Sequence, residues 1–406
     1  MKKILFPLAI ASLITACGSS DSDTPSTNNP PPKPNPPTNT AEKKVGILTD
    51  GIISGVSYRT SSGINGITSA HGEFNYREGD EVSFMLGDVK IGDTIKAQAR
   101  ITPLELSQDS KTRTNLLVFL QSLDEDAVHN NGITIPERVA DALKSKTLDF
   151  AQDTTVFNQD ATFKLALKEV NKTTPVSAEQ AKQNFQAAFY QDIAGVWEIP
   201  QKNSKEKILF HIDKSGNYTM GQATPRDAHG QPGIEYGKLN WNAITGEVNP
   251  EISIDTNEEW GMSHPIGKHT LTFDGTHLII GEPEIKQSHQ LNRVKQSTDS
   301  FVGTWTMEDH LFTFFADNSY VLLHTGSDDC GFPGLEYGKY STTAKTMSVS
   351  EAYYDTTGCS GLIDSFYNEE LTPGKYDLDT FSYVLKGDTL TLQYGGEPEA
   401  ILKRLK

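Results

Sequence analysis

The sequence predicts a mainly β protein with a helical insert: a small β-sandwich, a helical spacer and two repeated antiparallel, barrel-like β domains. Three observations carry this. Apolar and polar residues alternate between Val45 and Pro103, the period of half-buried strands. The period then lengthens to that of helices as far as about residue 191. The rest of the chain repeats itself at a spacing of about a hundred residues.

The first element is a leader, residues 1–16. Lys2 and Lys3 precede an apolar run from Ile4 to Ile14, and Thr15 and Ala16 are small. That order is a secretion signal, and the run is too short to span a bilayer. Ile14-Thr15-Ala16-Cys17 resembles the lipobox of bacterial lipoproteins. The resemblance implies diacylglycerol on the Cys17 thiol, cleavage before it, and fatty acylation, palmitate included, of the new amine. Gly18, where an Asp would be the other option, resembles the enterobacterial pattern that goes with the outer membrane. The expected location is therefore the cell envelope, at the outer membrane, on either its periplasmic or its surface side. Each buried acyl methylene contributes about 0.8 kcal/mol, so several chains anchor firmly.

Residues 17–44 follow as a tether. Ser, Asp, Thr and Asn surround Pro30-Pro31-Pro32-Lys33-Pro34, and there is almost nothing apolar to bury. Overall the 406 residues carry a formal charge of −17 and no basic run. Such a chain does not neutralise phosphates, so nucleic acid is excluded as a partner. The membrane is expected as a partner only through covalent lipid.

Residues 45–104 read as the small β-sandwich. Alternation shows at Val56 and Tyr58, at Phe74 and Tyr76, and at Val82, Phe84 and Leu86, with turns at His71-Gly72, Glu78-Gly79-Asp80 and Gly87-Asp88. The stretch from Gly55 to Gly92 resembles a module of proteobacterial surface lipoproteins and, more loosely, transthyretin-like sandwiches. It carries no catalytic residues.

Residues 105–191 read as helices. Leu116, Phe119, Leu120 and Leu123 share one stripe; Phe163, Leu167 and Val170 share another. Pro136 marks a helix start, and Ser177-Ala178-Glu179-Gln180 fits a capping box before Phe185 and Phe189. Between the stripes, Asp124, Glu125, Asp126, Asn130 and Asn131 cluster before Gly132. Two readings stand for the Asp124–Asp126 loop: a calcium loop lacking the EF-hand ligand ladder, or a solvated helix-to-loop turn.

The repeat spans 192–298 and 299–406. Gly195-Val196-Trp197 answers Gly303-Thr304-Trp305, and Pro232-Gly233-Ile234-Glu235-Tyr236-Gly237-Lys238 answers Pro333-Gly334-Leu335-Glu336-Tyr337-Gly338-Lys339. Asp274-Gly275 pairs with Lys386-Gly387, Gly281-Glu282-Pro283-Glu284 with Gly396-Glu397-Pro398-Glu399, and Arg293 with Arg404. Matches in one order at one spacing mean duplication. Each copy reads as an antiparallel meander, which closes to remove its edges. The Gly-x-Trp on the first strand and the Arg on the last resemble the paired signature of lipocalin-like barrels. That resemblance implies Arg293 over Trp197 and Arg404 over Trp305, sealing the closed end. The other lipocalin motifs are missing. A fragment beginning near Asp192 is expected to fold on its own.

With Cys17 committed to lipid, Cys330 and Cys359 remain as an even pair in an oxidising compartment, expected as one disulfide. His264 and His269 lack the carboxylate pattern of a zinc hydrolase, so no metal and no cofactor is expected. No Gly-x-Ser-x-Gly elbow, HExxH, CxxC, phosphate loop or dinucleotide fingerprint occurs. The chain is expected to be non-catalytic and to bind a small apolar ligand among inward aromatics such as Tyr218, Trp241, Phe273, Phe314, Tyr320 and Tyr383. Its rivals are an adhesion or partner-binding protein and a carboxylate-dependent hydrolase.

Overall fold

The computed structural model describes residues 42–264, 267–327, 330–364, 377–378, 380–396 and 400–406; the leader, Cys17 and the tether up to residue 41 lie outside the described residues. Strands β1 (Lys43–Leu48), β2 (Ile53–Ser54), β3 (Ser57–Thr60), β4 (Asn65–Ile67), β5 (Glu73–Arg77), β6 (Glu81–Leu86), β7 (Val89–Lys96) and β8 (Arg100–Ile101) build the first module. β1 starts inside the expected tether because Lys43 pairs with Arg77 on β5. One sheet runs β5-β1-β8 and the other β4-β3-β6-β7. Phe74 of β5 meets Phe84 of β6 edge-on, with ring centroids 5.3 Å apart, so the alternating apolar faces close on each other.

The helical region contains α1 (Pro103–Leu106), α2 (Ser110–Ser122), α3 (Glu137–Ala142), α4 (Thr154–Phe157), α5 (Ala161–Glu169) and α6 (Ala178–Ile193), with β9 (Ile133–Thr134) paired to β2. The expected capping box at Ser177 is only half made. The Ser177 hydroxyl accepts from Gln180 N, but the Gln180 amide donates to Asn184 instead. A full box occurs at Thr102 and Glu105, where α1 opens ahead of the expected start of the helices. Among the described residues no helix is long and apolar enough to cross a membrane.

In the first repeat, β10 (Gly195–Ile199), β11 (Lys207–Ile212), β12 (Asn217–Ala223), β13 (Gly233–Lys238), β14 (Glu251–Asp255), β15 (Thr270–Phe273), β16 (His277–Glu282) and β17 (Gln287–Arg293) form one sheet in the order β14-β13-β12-β11-β10-β17-β16-β15. In the second, β18 (Gly303–Met307), β19 (His310–Phe314), β20 (Ser319–His324), β21 (Gly334–Thr342), β22 (Thr346–Asp355), β25 (Thr380–Lys386), β26 (Thr389–Gln393) and β27 (Ala400–Arg404) close as a barrel, with β23 (Ile363–Asp364) and β24 (Asp377–Leu378) a separate pair. The copies therefore differ at one seam. In the first, β15 turns its hydrogen bonds to the segment after β13: Leu271 N donates to Gly246 O and Val248 N to His269 O. No ladder joins β14 to β15 among the described residues.

That segment carries Trp241, which bears on the expected independence of a fragment cut at Asp192. The Trp241 ring stacks on Phe189 of α6, centroids 3.9 Å apart, and meets Phe185 edge-on. Trp241 N donates to the Tyr190 hydroxyl and its indole N–H to Leu271 O, each at 2.9 Å. Arg100 of β8 pairs with Asp192 at 2.6 Å. One apolar cluster consequently runs from Leu48 through α2 and α6 to Leu291. The cut would open this core, because the first sheet buries its inner face against helices that the fragment lacks.

The two β domains meet through outward-facing residues, including Val196, Leu209 and Ile234 of one and Leu311, Leu323 and Leu335 of the other. Gly221 is the point of closest approach: an ideal Cβ there would stand 2.2 Å from Leu323 Cδ2. The Tyr337 hydroxyl donates to Ser204 O at 2.6 Å, and the Lys207 ammonium lies 4.2 Å from the centre of the Phe315 ring.

Candidate functional site

The repeated motifs build the ends and walls of the β domains. Trp197 faces Arg293 in the β10–β17 ladder, and Trp305 faces Arg404 in the β18–β27 ladder. The guanidinium carbons lie 4.2 and 4.0 Å from the respective ring centres. Arg293 donates to Ala194 O and Asp192 O, and Arg404 to Val302 O and Ser300 O, so each arginine also caps the chain entering its sheet. The leading glycines are required by this cap. Gly195 and Gly303 have φ of 135° and 131°, and a Cβ would meet the arginine nitrogen at 2.6 and 3.0 Å.

The Glu-Tyr-Gly-Lys pieces serve the interior. Glu235 accepts from the Tyr218 hydroxyl at 2.5 Å and from Met262 N and Ser263 N. Glu336 Oε1 pairs with the Tyr320 hydroxyl, and Oε2 accepts from Leu362 N at 2.9 Å and Ile363 N at 3.2 Å. Both glutamates are fully buried. Gly237 and Gly338 follow because their ladders shift register there and a Cβ would strike Glu251 O or Glu351 O. In the final repeated motif, residues 397–399 lie outside the described residues.

Glu336 faces Asp355 across the β21–β22 ladder, and Asp355 is fully buried too. Burial first, and the Asp355 charge second, push the Glu336 carboxyl well above the usual glutamate range. A folded value raised above the unfolded one means that the proton stabilises the fold. That contribution is complete below the ordinary 4.5 and is lost as pH rises through the folded value. Glu336→Gln is expected to remove this pH dependence, because its amide oxygen still accepts from Leu362 and Ile363 and its NH2 donates to Tyr320. Glu336→Leu is expected to cost about 1–3 kcal/mol for each backbone N–H left unpaired. Urea unfolding at a series of pH values measures both.

Large aromatic side chains gather inside both domains. Trp197, Phe210, Tyr218 and Trp241 are buried in the first domain; Trp305, Phe312, Phe314 and Tyr320 in the second. Phe301 lies between Phe314 and Tyr383, with centroids 5.5 and 4.6 Å away. Phe273 packs edge-on against Trp197.

A cleft of about 210 Å³ instead opens between the two β domains, lined by His211, Asp213 and Tyr236 from one and Glu308, Asp309, His310 and Thr325 from the other. Burial lowers His211 to about 4, so it is neutral there. At the cleft mouth the β18–β19 hairpin tip presents Asp309 and His310, and the next strand places His324 opposite His310 in register. Their rings stack with centroids 4.2 Å apart and planes 25° apart. His310 Nδ1 lies 2.8 Å from Asp309 Oδ1, and His324 Nε2 lies 3.6 Å from Asp309 Oδ2. Burial, then the adjacent His324, lowers His310. This trio is absent from the residues that the sequence singled out. Its signal was present: positions 310 and 324 are equidistant from a turn centred on Asp317, which places them side by side on antiparallel strands.

The other expected groups stand apart. Cys330 and Cys359 form a disulfide, Cα atoms 5.5 Å apart. His264 Nε2 pairs with Asp255 at 3.2 Å, while His269 is buried elsewhere, and among the described residues the two are not brought into one ligand group. In the Asp124–Asp126 loop, Asp126 accepts from Val128 N and Asn131 Nδ2, and the Lys172 ammonium donates to Asp124 O at 2.7 Å. The loop thus holds a cation of its own. No family model and no curated protein matches the chain.

Proposed function

We propose that this chain is a lipid-anchored protein of the cell envelope that acts by binding, without catalysis, and that it docks an envelope protein on the outer face of its second β domain. The packing of Phe301 between Phe314 and Tyr383 supports a surface site over an internal ligand. The observation that carries the reading is a solvent-facing row across β25, β26 and β27. Val384, Thr391 and Ile401 are successive ladder partners, and the two apolar residues are 50% and 49% exposed. Two exposed branched apolar side chains flanking Thr391 on one outer face support a contact surface there. The fully buried Glu336–Asp355 pair is out of reach of a substrate, which weighs against a hydrolase.

The docking face is tested with a photo-reactive phenylalanine at Val384 in the cells that make the protein. A discrete adduct, absent when the probe replaces polar Lys386 at the strand end, is expected. Smeared or equal adducts at both positions would count against a docked partner. Saturable uptake of an apolar fluorescent probe with quenched tryptophan emission would return the ligand to the interior. The anchor has its own test. Cys17→Ala is expected to abolish labelling by a palmitate analogue and to release the chain into the soluble fraction, whereas equal labelling of both proteins would refute the anchor.

A further inference from the structure

We propose that Asp309, His310 and His324 form a site for one divalent transition-metal ion of the borderline class, zinc before others, at the mouth of the inter-domain cleft. The inference is independent of the docking face on β25–β27. It also reverses the sequence expectation of no metal.

The argument starts at His324, whose side chain is only 2% exposed. Its Nδ1 lies 2.9 Å from Phe332 O. A carbonyl oxygen only accepts, so Nδ1 carries the proton and Nε2 is left with a bare lone pair. That lone pair faces Asp309 Oδ2, another acceptor, across 3.6 Å, beyond hydrogen-bond range. His310 Nδ1 lies 2.8 Å from the other carboxylate oxygen, beside which the same carboxylate faces His324. Three ligand atoms, one from each residue, lie within 4.8 Å of one another. A cation supplies what is missing.

The first repeat sharpens the point. The ladder registers put Trp197 and Trp305 opposite Phe210 and Phe312, so Lys207, Ile208 and Gln222 occupy the places of Asp309, His310 and His324. Lys207 brings its own ammonium, paired with Glu198 at 2.6 Å. Where one copy carries a built-in cation, the other carries three ligands for one.

The ligand types select the ion. Two imidazoles and a carboxylate suit zinc, copper(II) or nickel, not the all-oxygen preference of calcium and magnesium. The Phe332 carbonyl behind His324 is the outer-shell partner that fixes ring orientation at such sites. Phe332 is held in turn by its N–H to Thr357 O, beside the Cys330–Cys359 bridge. Bond lengths of about 2.0–2.2 Å require His310, on the hairpin tip, to turn out of its stack on His324.

The test uses the mature chain, stripped with chelator and titrated with zinc chloride by calorimetry, then with cobalt(II) followed by visible absorption. One saturable equivalent is expected, with the absorption of a four-coordinate cobalt site. His310→Ile and His324→Gln install the residues that the first copy already carries, and each is expected to weaken that equivalent by about tenfold or more. Asp309→Asn, on a tip that is 40% exposed, gives the same reading in a variant that keeps the strands intact. Absence of a saturable equivalent in the wild type overturns the site. So does unchanged affinity in all three variants, which would place the ion on other surface histidines. Competition by calcium at equal concentration would overturn the choice of metal class.

Discussion

Replacing Trp241 by alanine is expected to destabilise the protein by about 3–5 kcal/mol, the range for removing a fully buried large aromatic side chain. The loss is not confined to one domain. Trp241 is stacked on Phe189 and held at both backbone and indole nitrogens, so its removal leaves a void between α6 and the first sheet. Leu271 O loses the indole donor. Chemical unfolding followed by helical circular dichroism and by tryptophan fluorescence should show both signals shifting together. A shift in fluorescence with the helical signal unchanged would mean that the two regions fold separately. The same physics predicts that a chain beginning at Asp192 lacks a cooperative transition in its first β domain while its second keeps one.

Breaking the Cys330–Cys359 bridge is the second large effect. The linked residues are 29 apart in sequence, and in the chain-entropy model a loop of that size stabilises by about 3–4 kcal/mol. Cys330→Ser/Cys359→Ser is expected to lower the second β domain by that amount and to leave the first unchanged, since the bridge lies wholly within one copy. Calorimetry of the double variant should resolve an earlier transition for the barrel. A single transition moving as a whole would show instead that the seam at Gly221 couples both copies into one unit. The bridge also sits beside Phe332, so reductant should weaken zinc uptake together with barrel stability.

Much of the architecture was legible because it rests on local pattern. The duplication needed only matched residues, and the Gly-x-Trp and Arg positions coincide with a cap that a Cβ would obstruct. Helix periods at Leu116 and Phe163 mark α2 and α5, since both stripes face one core. What was not legible depends on contacts between distant segments. Nothing local in Leu239–Val248 says that Trp241 will stack on α6 and donate its indole N–H to β15, so the first repeat looked as able to close as the second. The His310–His324 pairing follows from strand register, yet neither residue belongs to a recognisable ligand motif. The role of the inward aromatics was beyond reach too, because they are equally consistent with a wall around a guest and with a core.

The seam between the domains carries a consequence for how the copies can associate. Leu209 pairs with Gly221 in one ladder and Leu311 with Leu323 in the other, so Gly221 and Leu323 are the same position of the two copies. They meet each other, as residues near the axis of a two-fold dimer do. The symmetry is broken there by chemistry: one copy offers a hollow and the other a knob. Two first copies would face glycine with glycine and leave a gap; two second copies would drive leucine into leucine. Only the unlike pair fits. An arrangement of the kind that holds two-fold dimers thus serves here as a lock between the two copies within one chain.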